Sequence, residues 1–266
     1  MTMKILSVIA TFVVMALAAP AHARPLTLCV EDVPQPPWTT PEQTGLNFEL
    51  LERVQKATGE HFEIAAKPWR RCLEDLRHGV VDGLIGAAYS PDRRMFAHFP
   101  MLGNGQVDSE SALFVGRTYV FLRVGGLARW DGRKLHNPRN TVIAQRSYMA
   151  GERLRRQGFA VLDDAKTPED GLRRLVAEGG ADVAVIHSEL AHYLVNTDPR
   201  FKGRVVEAQP PFDASPHFLV FSPDAYKAHR GRIERIWSAI AQVRRSPEYR
   251  RIESATILRT QRQGPQ

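Results

Sequence analysis

Short apolar runs along the chain alternate with stretches whose apolar residues recur every three or four positions. This rhythm predicts strands alternating with helices. Residues 26–30 form an apolar run suited to a buried strand, closed by Glu31 and Asp32 and by a proline-rich turn over 34–38. Leu46, Leu50, Val54 and Ala57 then recur at helical spacing until Gly59 stops the helix. A second strand is expected over 62–65, a short helix from Pro68 and Trp69 to Gly79, and a third strand over 80–88. Residues 104–111 are polar and show no period, and strands follow at 119–124 and 141–144.

The second half carries clearer punctuation. Thr167, Pro168, Glu169 and Asp170 supply an N-cap, a proline at the first helical position and acids in the first turn. That helix runs through Leu172 and Leu175 to Gly179, and a buried strand follows over 181–186. Ser188 caps another helix that reaches Asn196. Residues 217–221 read as a strand, and Ser222-Pro223-Asp224 opens a long helix through Ile233, Ile236, Trp237 and Ile240, with 262–266 as a frayed end. No internal repeat or low-complexity tract interrupts the pattern. The fold class is therefore α/β with mostly parallel sheet. Ligands of such sheets sit at the carboxyl ends of strands. That rule nominates residues 32–38, 86–94, 145–148 and His187.

Composition narrows the picture. The 266 residues are 43% hydrophobic and 24% charged, which excludes disorder, collagen and a disulfide-dense miniprotein. The net charge of +7 attracts anions. Its basic residues are scattered and no nucleic-acid module is present, so no nucleic-acid partner is expected.

The first 23 residues read as a signal peptide: Lys4, an apolar stretch over 5–19, and Pro20-Ala21-His22-Ala23 as a cleavage pattern. That stretch is shorter than the roughly 20 residues a membrane-spanning helix needs, although an anchor that stays on is the alternative. Cys29 lies too far downstream to take a lipid. A mature protein beginning near Arg24 and exported to the periplasm is expected. In an oxidising compartment Cys29 and Cys72 can pair, or they can remain two buried thiols.

Visible chemistry is sparse. There is no nucleophile elbow, phosphate loop, dinucleotide fingerprint or metal-binding His cluster, so no cofactor and no metal are expected. His187, at a strand end, is a candidate base or a packing residue. Arg93 and Arg94 follow Ser90-Pro91-Asp92, which looks like the opening of a helical turn whose backbone N–H groups face the same spot. A guanidinium fork matches a carboxylate in two prongs, whereas the plain reading is a pair of solvated arginines. Trp38 and Trp69 are placed either to stack on a ligand or to fill the core.

Several segments in order carry a resemblance. They are Glu31-Asp32 with Pro36-Pro37-Trp38, Gly45-Leu46, Pro68-Trp69-Arg70-Arg71, Leu76 to Asp82, Ser90-Pro91-Asp92-Arg93 with Phe99-Pro100, and Leu175 with Gly180-Ala181-Asp182. Over nearly the whole mature chain the sequence resembles the solute-binding receptors of polar-amino-acid ABC importers (bacterial solute-binding protein family 3). The resemblance implies a two-lobed periplasmic-binding-protein fold (type II) with two crossing strands as hinge. Lobe one would comprise 24–112 and 213–266, and lobe two 113–212.

It further implies Arg93 as the clamp on a ligand carboxylate, with Arg94 a rival, and Trp69 as an aromatic against the ligand. Asp32 matches a first-loop acid and Gln35 stands where many relatives have tyrosine. Gly86, Ala88 and Ser90 match pocket-lining positions, and Trp38 joins the candidates. Gln145, Arg146, Ser147 and Tyr148 match the anion-facing turn of the second lobe, with Arg146 replacing a glycine. His187 replaces an acid that receives the ligand ammonium. Glu189 is a substitute for it, and a ligand richer in negative charge is favoured. The implied protein is a monomeric, non-enzymatic receptor for a small ligand, partnered by an importer permease. The alternatives are a module serving a sensor kinase or periplasmic oxidoreductase, and an enzyme resembling the cyclohexadienyl dehydratases.

Overall fold

A computed structural model describes residues 24–138, 141–177 and 180–263. The expected signal peptide, residues 1–23, lies outside the described residues. Among those described, no helix is long and apolar enough to cross a membrane.

The chain opens with β1 (Leu26–Glu31), α1 (Leu46–Thr58), β2 (Phe62–Lys67), α2 (Trp69–Arg77), β3 (Gly83–Ala88) and the single turn α3 (Pro91–Arg94). Long β4 (Phe114–Arg123) leads to a small ribbon of β5 (Arg129–Trp130) and β6 (Leu135–His136). Then come β7 (Val142–Gln145), α4 (Met149–Arg156), β8 (Val161–Ala165), α5 (Pro168–Val176), β9 (Val183–His187) and α6 (Glu189–Thr197). The chain returns through β10 (Val205–Phe221) and ends in α7 (Pro223–Arg245) and α8 (Pro247–Gln263).

The strand order is β2-β1-β3-β10-β4-β9-β7-β8. β1 pairs in parallel with β2 and β3, and β7 pairs in parallel with β8 and β9. β10 and β4 run antiparallel to these sets and to each other. Two parallel sets, each flanked by helices, are thus joined by two long crossing strands. Helices cover both faces, which is why the inner strands read as continuous apolar runs. One core packs Leu28, Val30 and Leu219 against α1 and α7, and a second gathers Cys29, Cys72, Leu76, Phe99 and Phe218. In the other half, Phe121, Ile143, Leu172 and Ile186 form a third core, and Val142, Leu154, Val183 and Val185 a fourth.

Cys29 and Cys72 form a disulfide 43 residues apart in sequence. It joins β1, whose last residue is Glu31, to α2, whose first is Trp69, so it ties together two elements that reach the cavity described below.

Helix starts follow the sequence closely. Ser90, Thr167, Ser188 and Ser222 each cap with a side-chain oxygen that accepts a backbone N–H. The expected strand over 217–221 is the end of a 17-residue strand. Pro210, Pro211 and Pro216 break its apolar alternation, and its pairing with both β3 and β4 sustains it instead. The third strand begins at Gly83 rather than residue 80, since Val80 is 59% exposed in the preceding turn. The strand expected at 119–124 begins at Phe114, and 109–111 of the aperiodic segment form a short 3-10 turn. Helix α4 and strand β8 were hidden in sequence by polar residues, because α4 buries only Ala150, Gly151 and Leu154. The described helix α8 continues to Gln263, and residues 264–266 of the expected frayed end lie outside the described residues.

Candidate functional site

A cavity lies where the two halves meet the crossing strands. Its floor follows from strand geometry, because alternate residues of a strand face the same side. Phe114, Gly116 and Thr118 of β4 lie opposite His217, Ser215 and Asp213 of β10 in register. All but Gly116 line the cavity.

The rings on this floor form a ladder. Trp38 stacks on Phe114 at 4.6 Å between centroids, Phe114 on His217 at 4.8 Å, and His217 on His187 at 4.9 Å, with Tyr148 next at 5.6 Å. Gly116 makes room for it: a Cβ there would sit 2.5 Å from a ring carbon of both His187 and His217. His187 is positioned by its backbone N–H, which donates to Gln145 Oε1 at 2.7 Å, and its Nδ1 lies 3.3 Å from Thr118 Oγ1. Burial drives His187 down to about 4 and holds His217 well below the ordinary histidine range. Both imidazoles are neutral at pH 7.

Arg93 enters from α3. Its backbone N–H is taken by Ser90 Oγ at 3.2 Å, its Nη1 donates to Ala88 O at 3.0 Å, and its guanidinium lies 5.8 Å from the Trp69 ring centroid. No carboxylate of the described residues forms an ion pair with it, and burial lowers its proton affinity. Arg153, from α4, differs: its Nη1 holds Asp213 at 2.8 Å and its guanidinium lies 4.8 Å from the Phe212 ring centroid.

Glu31 closes the third side. Tyr148 Oη and Gln35 Nε2 both donate to its Oε2, and Gln35 Nε2 also donates to Tyr148 Oη. Burial outweighs these donors and pushes Glu31 up to about 7, while Tyr148 is raised well above 10 by burial and by Glu31. This contact spans the halves, from β1 to the N-cap of α4.

Of the residues expected from sequence, Gln35, Trp69, Gly86, Ala88, Arg93, Tyr148 and His187 come together in the lining. The others lie elsewhere. Asp32 is exposed, because its neighbour Glu31 takes the inward parity of β1. Trp38 is buried in the core beneath Phe114, and Ser90 serves as the α3 cap. Gln145 is buried and orients His187, whereas Arg146 and Ser147 face a wider outer groove that Ser90 also lines. Arg94 is exposed. Glu189 accepts from Tyr119 Oη at 2.7 Å outside the cavity.

Sequence reasoning missed Asn47, Phe114, Thr118, Arg153, Phe212, Asp213, Ser215 and His217 in the lining. The spacing of Asp213, Ser215 and His217 is the signal that could have found three of them, had the strand been extended past its prolines. In the sequence Glu31 reads only as the polar close of the first strand and as part of the Glu31-Asp32 segment of the resemblance.

No protein-family model matches the chain, and no curated protein matches it in sequence. Solved structures do resemble it. A histidine kinase sensor domain with similarity to periplasmic binding proteins is 20% identical and superposes with a TM-score of 0.68, covering 88% of this chain and 96% of that one. The arginine-, lysine-, histidine-binding protein ArtJ of Geobacillus stearothermophilus is 16% identical at 0.65, covering 88% and 95%. The glutamate-bound GluR0 ligand-binding core of Nostoc punctiforme is 15% identical at 0.64, covering 91% and 100%. At these identities the likeness is one of fold, and the fold of this chain is the two-lobed α/β fold of the periplasmic binding proteins.

Proposed function

We propose that this protein is an exported receptor that captures a small carboxylate between its lobes and presents it to an ABC-type importer, without performing chemistry on it. The observation that carries this reading is Arg93: a guanidinium with one hydrogen bond, to Ala88 O, and no ion-pair partner among the described residues, in the wall of an interlobe cavity. Such a fork is matched by a carboxylate in two prongs. Trp69 supplies a flat apolar wall beside it, and Tyr148 reaches from the second lobe. Hinge closure on the ligand would give the permease a shape to read. Solved structures with this fold include substrate-binding proteins of amino acid ABC transporters. In this reading lobe one is 24–112 with 213–266, and lobe two is 113–212.

A second reading replaces the permease with a sensor kinase. It is favoured by the kinase sensor domain already described and by the VFT2 domain of Bordetella pertussis BvgS at a TM-score of 0.58. Permease and ATPase genes beside this one would favour import, and a kinase gene the sensor.

The test is a thermal-shift screen of residues 24–266 against carboxylates, amino acids, polyamines and sugars. A ligand at a hundred times its Kd stabilises by about 2.7 kcal/mol. The expected result is a shift with a carboxylate that Arg93→Ala abolishes. A flat screen, or a shift indifferent to Arg93→Ala, overturns the reading.

A further inference from the structure

The charged groups around the cavity are not all paired. The lining holds two cations, Arg93 and Arg153, and two acids, Glu31 and Asp213. Asp213 is matched by Arg153 at 2.8 Å. Glu31 has no cation in ion-pair contact among the described residues, and its Oε2 is held by the neutral donors Tyr148 and Gln35. His187 and His217 are neutral. The guanidinium of Arg93 is left with a backbone carbonyl and no acid in ion-pair contact among the described residues. A monoanion neutralises it without disturbing the wall, whereas the ammonium of a zwitterion reaches an acid only by displacing Tyr148 and Gln35 from Glu31.

Two hydrogen-bonding groups are also unmet. Asn47, the second residue of α1, is 0% exposed and lies in the lining, yet neither its Oδ1 nor its Nδ2 has a partner. Buried amides in native proteins are almost always satisfied. His217 Nδ1 meets the Ser215 carbonyl at 3.0 Å and so must carry the proton, which leaves Nε2 as an acceptor without a partner among the described residues. An amide that can both donate and accept, together with a lone acceptor, matches a hydroxyl, which does both.

We propose that the ligand is a hydroxy acid rather than an amino acid: a small carboxylate, held by Arg93, whose hydroxyl is received by Asn47 and His217. Asn47 then determines specificity. This inference rests on the receptor reading above and names the ligand class for the same cavity.

The experiment uses calorimetric titration of the mature protein with triads that share a skeleton and differ only at C2. The triads are lactate, alanine and propionate; malate, aspartate and succinate; and 3-phenyllactate, phenylalanine and 3-phenylpropionate. In the triad whose skeleton fits, the hydroxy member should bind at least roughly ten-fold more tightly than both others. Asn47→Leu should abolish the preference, so that the hydroxy member binds no more tightly than the unsubstituted acid measured on the same variant. The isosteric Asn47→Asp, which adds an unmatched acid, should turn the preference toward the amino member. If the amino member binds the native protein best, the hydroxy-acid inference fails while the receptor reading stands. If no triad member and no other carboxylate binds, the receptor reading fails and takes the inference with it. Preferences unmoved by both Asn47 variants remove Asn47 from the specificity role.

Discussion

Arg93 and Arg232 are both largely withdrawn from solvent, and their surroundings could hardly differ more. Arg232, on α7, lays its guanidinium across Glu60, with Nε 3.0 Å from one carboxylate oxygen, and the two side chains are 14% and 8% exposed. Arg93 has a backbone carbonyl, an aromatic face and no acid in ion-pair contact. A buried cation that meets its partner within the fold is spent on structure. One that does not is held at a cost to stability, and that cost is recovered when an anion arrives. The same contrast separates the periphery from the cavity as a whole, where Glu31 is pushed up and both histidines are pushed down by burial.

The largest expected effect tests that contrast directly. Arg232→Ala strands the Glu60 carboxylate in a nearly buried place, with Arg235 at 3.9 Å as the one remaining cation among the described residues. A loss of about 3 kcal/mol is expected in urea unfolding. Arg93→Met, which removes an unpaired charge and keeps the apolar stem, should change the stability of the ligand-free protein by less than about 1 kcal/mol. Ligand binding should show the reverse pattern. Equal destabilisation by the two variants would erase the distinction.

Glu31 extends the comparison to pH. Its carboxyl titrates at about 7 in the folded protein, against roughly 4.5 when exposed. Between those values the folded state binds more protons than the unfolded state, so this group's contribution falls as pH rises. The groups that set it are the buried wall, which raises it, Tyr148 and Gln35, which lower it, and Asp32, which raises it slightly. From about pH 5 to about pH 7 the native protein should lose about 2 kcal/mol that Glu31→Gln does not lose. Parallel stability profiles for the two proteins would show that Glu31 is not the strained group described here.

How much of this was legible in the sequence depends on which physical rule wrote each feature. Caps at Ser90, Thr167, Ser188 and Ser222 obey local chemistry, so the helix starts could be read directly. The apolar runs of β1, β3 and β9 are covered on both faces and were equally plain. The cavity is another matter. Arg93, Trp69, Tyr148 and His187 were reachable because they lie at strand ends or just beyond them. Asp213, Ser215 and His217 were not, because β10 is shaped by pairing with two neighbours and not by its own alternation. The exchange of Asp32 for Glu31 was a matter of strand parity, and a one-residue slip reverses which acid faces inward. Asn47 looked like any polar residue in a first helical turn. Only the fold reveals that nothing among the described residues answers it.

The smallest effect concerns glycine, and it distinguishes a cavity wall from a loop. At Gly116 a methyl group would meet both histidine rings at 2.5 Å, while at Gly103 it would meet nothing within 4 Å. Gly116→Ala must therefore part His187 from His217 or move β4 away from them, which overpacking data place at about 1–2 kcal/mol. Gly103→Ala should be neutral or slightly stabilising, since it only narrows the unfolded ensemble. The decisive reading is again binding. Because the ring ladder fixes where His217 Nε2 stands, Gly116→Ala should weaken ligand affinity by more than its stability loss alone accounts for, and Gly103→Ala should leave it unchanged. Native affinity in Gly116→Ala would mean that the stacked imidazoles merely fill space, and the hydroxyl of the ligand would have to be met by Asn47 alone.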